Sequence, residues 1–241
     1  MFKFYFLFVI YFILTVSDAR VPPITRCKQA DNDCIVKSAN EVYPYMVGGI
    51  LEYDIPPASP IELKNYNSQF DKMSFTVSNL KASGLDKIKI EKIIRDPGAS
   101  TLEIVLQAPI LAKGKYEANG ELLSVPIKGN GDLEISIDNI AIDATAKYEL
   151  LERDGKKYYK INDYTFKYDI TDYNKLNIII TNLFDGDKEK AEAVNNIINS
   201  SKPILVAGIA EPLIKDFIDI LVRNHIQKLF QNLPAEEMEI A

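Results

Sequence analysis

The chain of 241 residues reads as an α+β protein in which a highly curved antiparallel sheet wraps a long C-terminal helix. Three observations predict this. Over residues 203–233, apolar side chains recur at Leu205/Val206, Ile209, Leu213/Ile214, Phe217/Ile218, Leu221/Val222, Ile226, Leu229/Phe230 and Leu233, the three-and-four spacing of one broad helical face. Between about Phe70 and Leu183 the pattern changes to alternation, as in Phe75/Val77, Leu102/Ile104/Leu106, Leu133/Ile135/Ile137 and Phe166/Tyr168/Ile170, so one sheet face is buried and the other wet. Two of the strand segments, 131–151 and 157–171, are too long for a small flat sheet and must coil. A curved sheet with one apolar face and a helix with one apolar stripe satisfy each other's burial when the first wraps the second.

The N-terminus sets the compartment. Lys3 is a short basic region, residues 4–16 are apolar, and Ser17-Asp18-Ala19 ends in small residues at the positions a signal peptidase reads, which predicts a signal peptide over 1–19 and a single mature domain over 20–241. The apolar run falls short of the ~20 residues that span a bilayer, so no stable membrane insertion is expected and the protein reads as secreted, extracellular. In that compartment Cys27 and Cys34, the only two cysteines, are expected to form a disulfide with each other.

Asp31-Asn32-Asp33 can cap a helix starting near Cys34, with Ile35, Ala39 and Val42 at helical spacing until Pro44 kinks it or ends it near Tyr43. The prolines and glycines from Gly48 to Pro60 predict a surface loop. Strands are expected over 73–82, 87–95, 101–107, 113–123, 131–151, 157–171 and 175–183, with turns at Asp96-Pro97-Gly98, Gly129-Asn130-Gly131 and Asp154-Gly155. Asp185-Gly186-Asp187 caps a helix over 188–199, and Pro212 predicts a kink or restart of the last helix near 208–211.

Chemistry-bearing motifs are scarce. A formal charge of −6 without a basic cluster argues against nucleic acid as a partner. Nucleophile-elbow, zincin and P-loop spacings are absent, so no enzyme is predicted, no cofactor, and no metal site. His225 is the single histidine; a hydrolase would have to use it, but its place in the terminal helical pattern reads as a helix-face imidazole. Asp185/Asp187 and Glu236/Glu237 read as caps and solvated charge. Asn199-Ser200-Ser201 is an N-glycosylation sequon at a helix break.

Cys27 and Cys34 at this spacing, "CIVKSANEVYPYMVGGI" from Cys34, the Pro-rich "IPPASPIEL" from Ile55, the "GNG" at Gly129 to Gly131 and "LFDGDKEKAEAVNNIIN" from Leu183 resemble, in that order and over essentially the whole mature chain, the insect takeout and juvenile hormone-binding protein family. The takeout-like branch is the nearer one, since juvenile hormone-binding proteins proper carry a second cysteine pair. The chain departs from the family at Ser200-Ser201-Lys202, often Asn-Trp there, and at Gly49-Ile50-Leu51, often Gly-Ile-Pro. Periodicity fits a filled interior as well as a hollow one, and close packing favours the filled one; the resemblance implies instead a TULIP-like super-roll enclosing an apolar tunnel. It implies a carrier whose partner is a hydrophobic, elongated, lipid-like small molecule such as juvenile hormone, another terpenoid or a fatty acid. On that reading the inward-alternating Phe75, Val77, Leu102, Ile104, Leu106, Phe166 and Tyr168, with Phe217 and Leu221 of the helix, line the tunnel, and Tyr168 offers a hydroxyl to a ligand oxygen. A one-residue slip in register would exchange the faces. The alternative is a secreted protein-interaction or signalling module with a closed core.

Overall fold

The computed structural model describes residues 22–240, and the leader read over 1–19 lies outside them. Strand β1 (Cys27–Lys28) precedes helix α1 (Asn32–Gly48), and a Cys27–Cys34 disulfide ties the strand to the first helical turn. Asp31 caps α1, its carboxylate accepting from the Cys34 amide at 3.1 Å. Pro44 does not end this helix. It lies on the exposed face, while Val42 and Met46 are buried on either side of it, and that packing outweighs the loss of one backbone bond. Asn40 fixes the helix on the sheet by bonding both backbone groups of Ile90, donating at 2.8 Å and accepting at 3.1 Å.

The sheet follows in order: β2 (Ile61–Glu62), β3 (Tyr66–Phe70), β4 (Lys72–Ser83), β5 (Lys89–Asp96), β6 (Thr101–Leu122), β7 (Val125–Arg153), β8 (Lys156–Ile170) and β9 (Leu176–Ile180). All pairings are antiparallel, and the sheet is open rather than closed into a barrel. Its spine is the β6–β7 hairpin, whose 22- and 29-residue strands are longer than expected. Gly129-Asn130-Gly131 is not a turn but lies within β7; the reversal falls at Leu123-Ser124, both with positive φ. Pro109 does not interrupt β6 either. The ladder skips from Ala108/Ile140 to Ile110/Ile137, and on the other side of β6 partnership passes from β5, ending at Gln107, to β4, beginning at Leu111. Pro109 therefore occupies a bulge where no neighbour needs its missing amide. Across from it β7 makes the same transfer, from β8 beyond Ile140 to β9 before Ile137.

Helix α2 (Lys188–Ser200), capped by Asp187, leads into the terminal helix over 202–232. That helix alternates α segments Lys202–Leu205, Glu211–Leu221 and Gln227–Asn232 with π segments Val206–Ala210 and Val222–Ile226. The first π segment ends where Pro212 predicted a kink or restart, and a new α segment begins at Glu211: a wider turn just before a proline absorbs the hydrogen bond that it cannot donate. The chain ends in β10 (Glu239–Ile240), parallel to β1. Its core is the concave sheet face packed on the helix, with Met73, Val77, Leu176, Val194 and Leu205 among the buried side chains.

Gly208, in the first π segment, receives the ring of Phe70 at the β3–β4 turn; a Cβ there would stand 2.0 Å from Phe70 Cε2. Gly208→Ala is therefore expected to destabilise the protein by about 1–3 kcal/mol through overpacking. In a Phe70→Ala background the same change should become neutral or stabilising by up to ~1 kcal/mol, the ordinary helix preference of Ala over Gly. Urea unfolding of the four proteins of this cycle measures the coupling, and additive effects would refute the contact.

Candidate functional site

Helix and sheet do not fill the space between them. Two adjoining apolar chambers remain along the helix, of about 170 Å³ and about 320 Å³. The smaller lies under the N-terminal half of the terminal helix and is walled by Phe75 and Val77 of β4, Ala112 and Ala118 of β6, Leu133, Ile135 and Ile137 of β7, Ile178 of β9, and Leu205, Ile209 and Leu213 of the helix. The larger lies under the C-terminal half, covered by Ala39, Val42 and Met46 of α1 and floored by Leu102, Ile104 and Leu106 of β6, Ala144 and Ala146 of β7 and Tyr159, Ile161 and Tyr164 of β8. Ile110, Ile142 and Phe217 belong to both walls and form the waist between them.

Of the residues predicted to face a tunnel, Phe75 and Val77 are in the smaller chamber, Leu102, Ile104, Leu106 and Leu221 in the larger, and Phe217 in both. Phe166 and Tyr168 are in neither; they pack, half-buried, on the core cluster. They share the inward face of β8 with Tyr164, but here the strand lies against the helix itself: Tyr164 donates to Asp219, and the Glu211 carboxylate is near enough to add to the upward push that burial gives the Tyr168 hydroxyl. A helix covers this part of the face, so a correct alternation does not place these two side chains on open space. Sequence reasoning passed over the roof of the larger chamber. The spacing of Ile35, Ala39, Val42 and Met46 in α1 was its available signal.

Polar groups are few and concentrated. Tyr116 reaches across to donate to the Thr181 carbonyl at 2.6 Å. Tyr43 is held well above the ordinary phenol range by burial and then by Asp86, and its hydroxyl has no partner among the described residues. His225, expected on a helix face, is buried in the wall of the larger chamber. Burial pushes its pKa down, against the pull of the Ile220, Pro56 and Pro57 carbonyls, and Lys228 pushes the same way as burial. None of those carbonyls meets hydrogen-bonding geometry, so both ring nitrogens lack a partner among the described residues. Among the described residues no nucleophile or carboxylate is bonded to the imidazole, so they do not assemble the nucleophile–base–orienter arrangement of a hydrolase around it.

At the far wall of the larger chamber stands a charged cluster, and Lys28 is also in the lining. Arg95 and Glu239 form an ion pair with side chains only 10 and 16 % exposed, Arg95 Nε donates to the Tyr148 hydroxyl at 3.2 Å, and Tyr159 donates to Glu239 at 3.0 Å. The guanidinium also stacks 4.9 Å from the Tyr159 ring centre. Among the described residues there is no group of three or more His, Cys, Asp or Glu able to hold a metal ion, and no helix long and apolar enough to cross a membrane.

A long helix laid in an open, strongly curved antiparallel sheet, with apolar space between them, is the architecture of hydrophobic-ligand carriers. The family model of the haemolymph juvenile hormone binding protein (JHBP) matches residues 6–239, and the chain belongs to that family. Among curated proteins it is similar to the circadian clock-controlled protein daywake of Drosophila yakuba, 26 % identical over 89 % of this chain and 86 % of that one, and of Drosophila melanogaster, 25 % identical over 92 % and 88 %. The crystal structure of Epiphyas postvittana Takeout 1 superposes with a TM-score of 0.84, at 22 % identity, over 90 % of this chain and all of that one. The fold expected from the takeout likeness is thereby shown.

Because burial keeps His225 neutral in the folded protein, the unfolded chain takes up a proton first as pH falls below about 6.5. The stability that the neutral imidazole contributes is therefore complete above that pH and declines below it. Melting temperature is expected to drop between pH 7 and pH 5.5 more steeply in the wild type than in His225→Leu. Parallel profiles would assign the acid sensitivity to other groups.

Proposed function

We propose that the mature chain, residues 20–241, is a secreted carrier that holds an elongated apolar ligand non-covalently in the two chambers, in contact with Phe75, Val77, Leu102, Ile104, Leu106, Phe217 and Leu221. The observation that carries this reading is the amount of space left unfilled in an apolar interior. An engineered cavity of about 150 Å³ stays dry and takes up benzene, and the larger chamber alone is about 320 Å³. Leaving apolar space of this size unoccupied costs the packing contacts of the side chains that line it. A resident apolar ligand removes most of that cost. Family membership points the same way, since the family is named for the binding of a juvenile hormone. No catalysed reaction enters this reading.

Protein secreted from an insect host and purified natively is expected to yield a stoichiometric apolar molecule in its organic extract, detected by mass spectrometry, and once stripped to bind an apolar fluorophore. Filling the floor of the larger chamber by Ala144→Phe should weaken fluorophore binding about tenfold or more while the circular dichroism spectrum is retained. Protein that is empty and takes up no probe would favour the closed interaction module instead. The same preparation tests the processing read from the sequence: cleavage after Ala19 leaves Arg20 as the first residue, and a glycan on Asn199, which is exposed at the end of α2, adds mass that peptide N-glycosidase removes.

A further inference from the structure

Between the two chambers the wall narrows to three side chains, Ile110 of β6, Ile142 of β7 and Phe217 of the terminal helix. All three are apolar, so the waist can sort ligands by size and not by polarity. On one side of it lies about 320 Å³ of space and on the other about 170 Å³. A chain that outgrows the first finds more room only beyond the waist. The two isoleucines are poorly placed to give way. Both are β-branched, with a stiff first torsion, and both stand beside the bulge at Pro109, where the spine strands are laddered at Ile110/Ile137 and Leu106/Ile142.

Phe217 is held differently. Its helix presents a residue to the chambers every four positions from Leu205 to Leu233. In a regular helix a step of four carries the side chain about 40° past a full turn, so such a row would soon drift off the sheet. The π segments Val206–Ala210 and Val222–Ile226, wider than an α turn, take up part of that drift. Phe217 lies in the α segment between them, the largest side chain of the row and the one member of it that both chambers share.

We propose that Phe217 is the specificity-determining residue for ligand length: its ring ends the larger chamber for short chains and is displaced only by chains long enough to enter the smaller one. This rests on the carrier reading and deepens it by naming what selects among apolar chains. Each methylene taken out of water strengthens binding about fourfold. That gain stops when the chain's end meets the ring, because the next methylenes must first turn an aromatic side chain out of a packed position. It resumes once the chain lies in the smaller chamber, whose lining is almost wholly apolar.

The test is displacement of an apolar fluorophore from the delipidated full mature chain by straight-chain primary alcohols from octanol to eicosanol. In the wild type, affinity is expected to climb about fourfold per methylene through the shorter members, to level off over several successive lengths, and then to climb again. Phe217→Ala should erase the level stretch and give one continuous climb. Phe217→Leu, which keeps an apolar side chain but a smaller obstruction, should narrow it, and it decides the question if circular dichroism shows the alanine variant unfolded. The readout is the level stretch and not the overall affinity, because a loss of packing alone would weaken all lengths alike. An uninterrupted climb in the wild type, or a level stretch unchanged in a folded variant, overturns the proposal. Failure of every alcohol and of the fluorophore to bind the wild type sinks the carrier reading itself.

Discussion

A single helix cannot fill the hollow of a sheet whose strands run this long. At ~3.3 Å per residue, the 22 residues of β6 and 29 of β7 would extend roughly 70 and 95 Å if straight. A twisted, coiled pair of that length folds its apolar face inward around something. The terminal helix is about 10 Å across and touches only a strip of that face. Everything else about the interior follows from this misfit: α1 and α2 cover what the helix leaves, and two chambers remain where no element reaches. Since mostly apolar side chains wall the remaining space, water gains few hydrogen bonds there and an apolar occupant does better.

The curvature has a local origin as well as a global one. At Pro109 on β6, and at Asp138-Asn139 opposite on β7, each spine strand changes neighbours, so the sheet bends without losing a ladder bond that anything required. Gly84 lets the β4–β5 connection pass close to this point, for a Cβ there would sit 2.3 Å from the Pro109 carbonyl oxygen, and its φ of +103° favours glycine. Asn139 donates to Gln107 across the bulge at 2.9 Å. Ile110 and Ile142 stand next to it on the inner face and meet Phe217, so the place where the strands exchange partners is also the waist between the chambers.

Much of this was readable in the residues, and what was not has a physical explanation. Helical spacing from Leu205 to Leu233 and alternation from Phe75 to Ile170 located the helix and the inward face, because burial on one side writes its period directly into the chain. The break expected between the strands 101–107 and 113–123 and the turn expected at Gly129-Asn130-Gly131 are both absent from the hairpin, since residues that break isolated strands are accommodated where the partner changes or the neighbouring backbone comes close: a Cβ on Gly131 would meet the Thr181 carbonyl oxygen at 2.6 Å. Of the two outcomes read at Pro44, a kink or an end, the helix does not end there, as packing of Val42 and Met46 carries α1 past it. The placing of Phe166 and Tyr168 shows the limit of periodicity. Alternation states which face a residue is on, not whether a helix or empty space lies over it. Arg95 and Glu239, far apart in the chain and unremarkable among many charges, had no sequence signal of their cavity position at all.

The two ends of the space are chemically unlike, and this bears on how a long molecule would lie. The smaller chamber is bounded by aliphatic residues and by α2, with the Tyr116 hydroxyl already committed to Thr181. The larger ends in the Arg95–Glu239 cluster beneath the β1–β10 ladder, where the disulfide pins the start of α1. A short ligand would fit within the larger chamber alone. A longer one must pass the waist, where the ring of Phe217 stands between Ile110 and Ile142, and that side chain is flanked along its helix by the two π segments, the least tightly wound turns. A helix wound more loosely on either side of its central aromatic can yield there with less disruption than a regular one, which places the adjustable part of the wall where ligand length has to be judged.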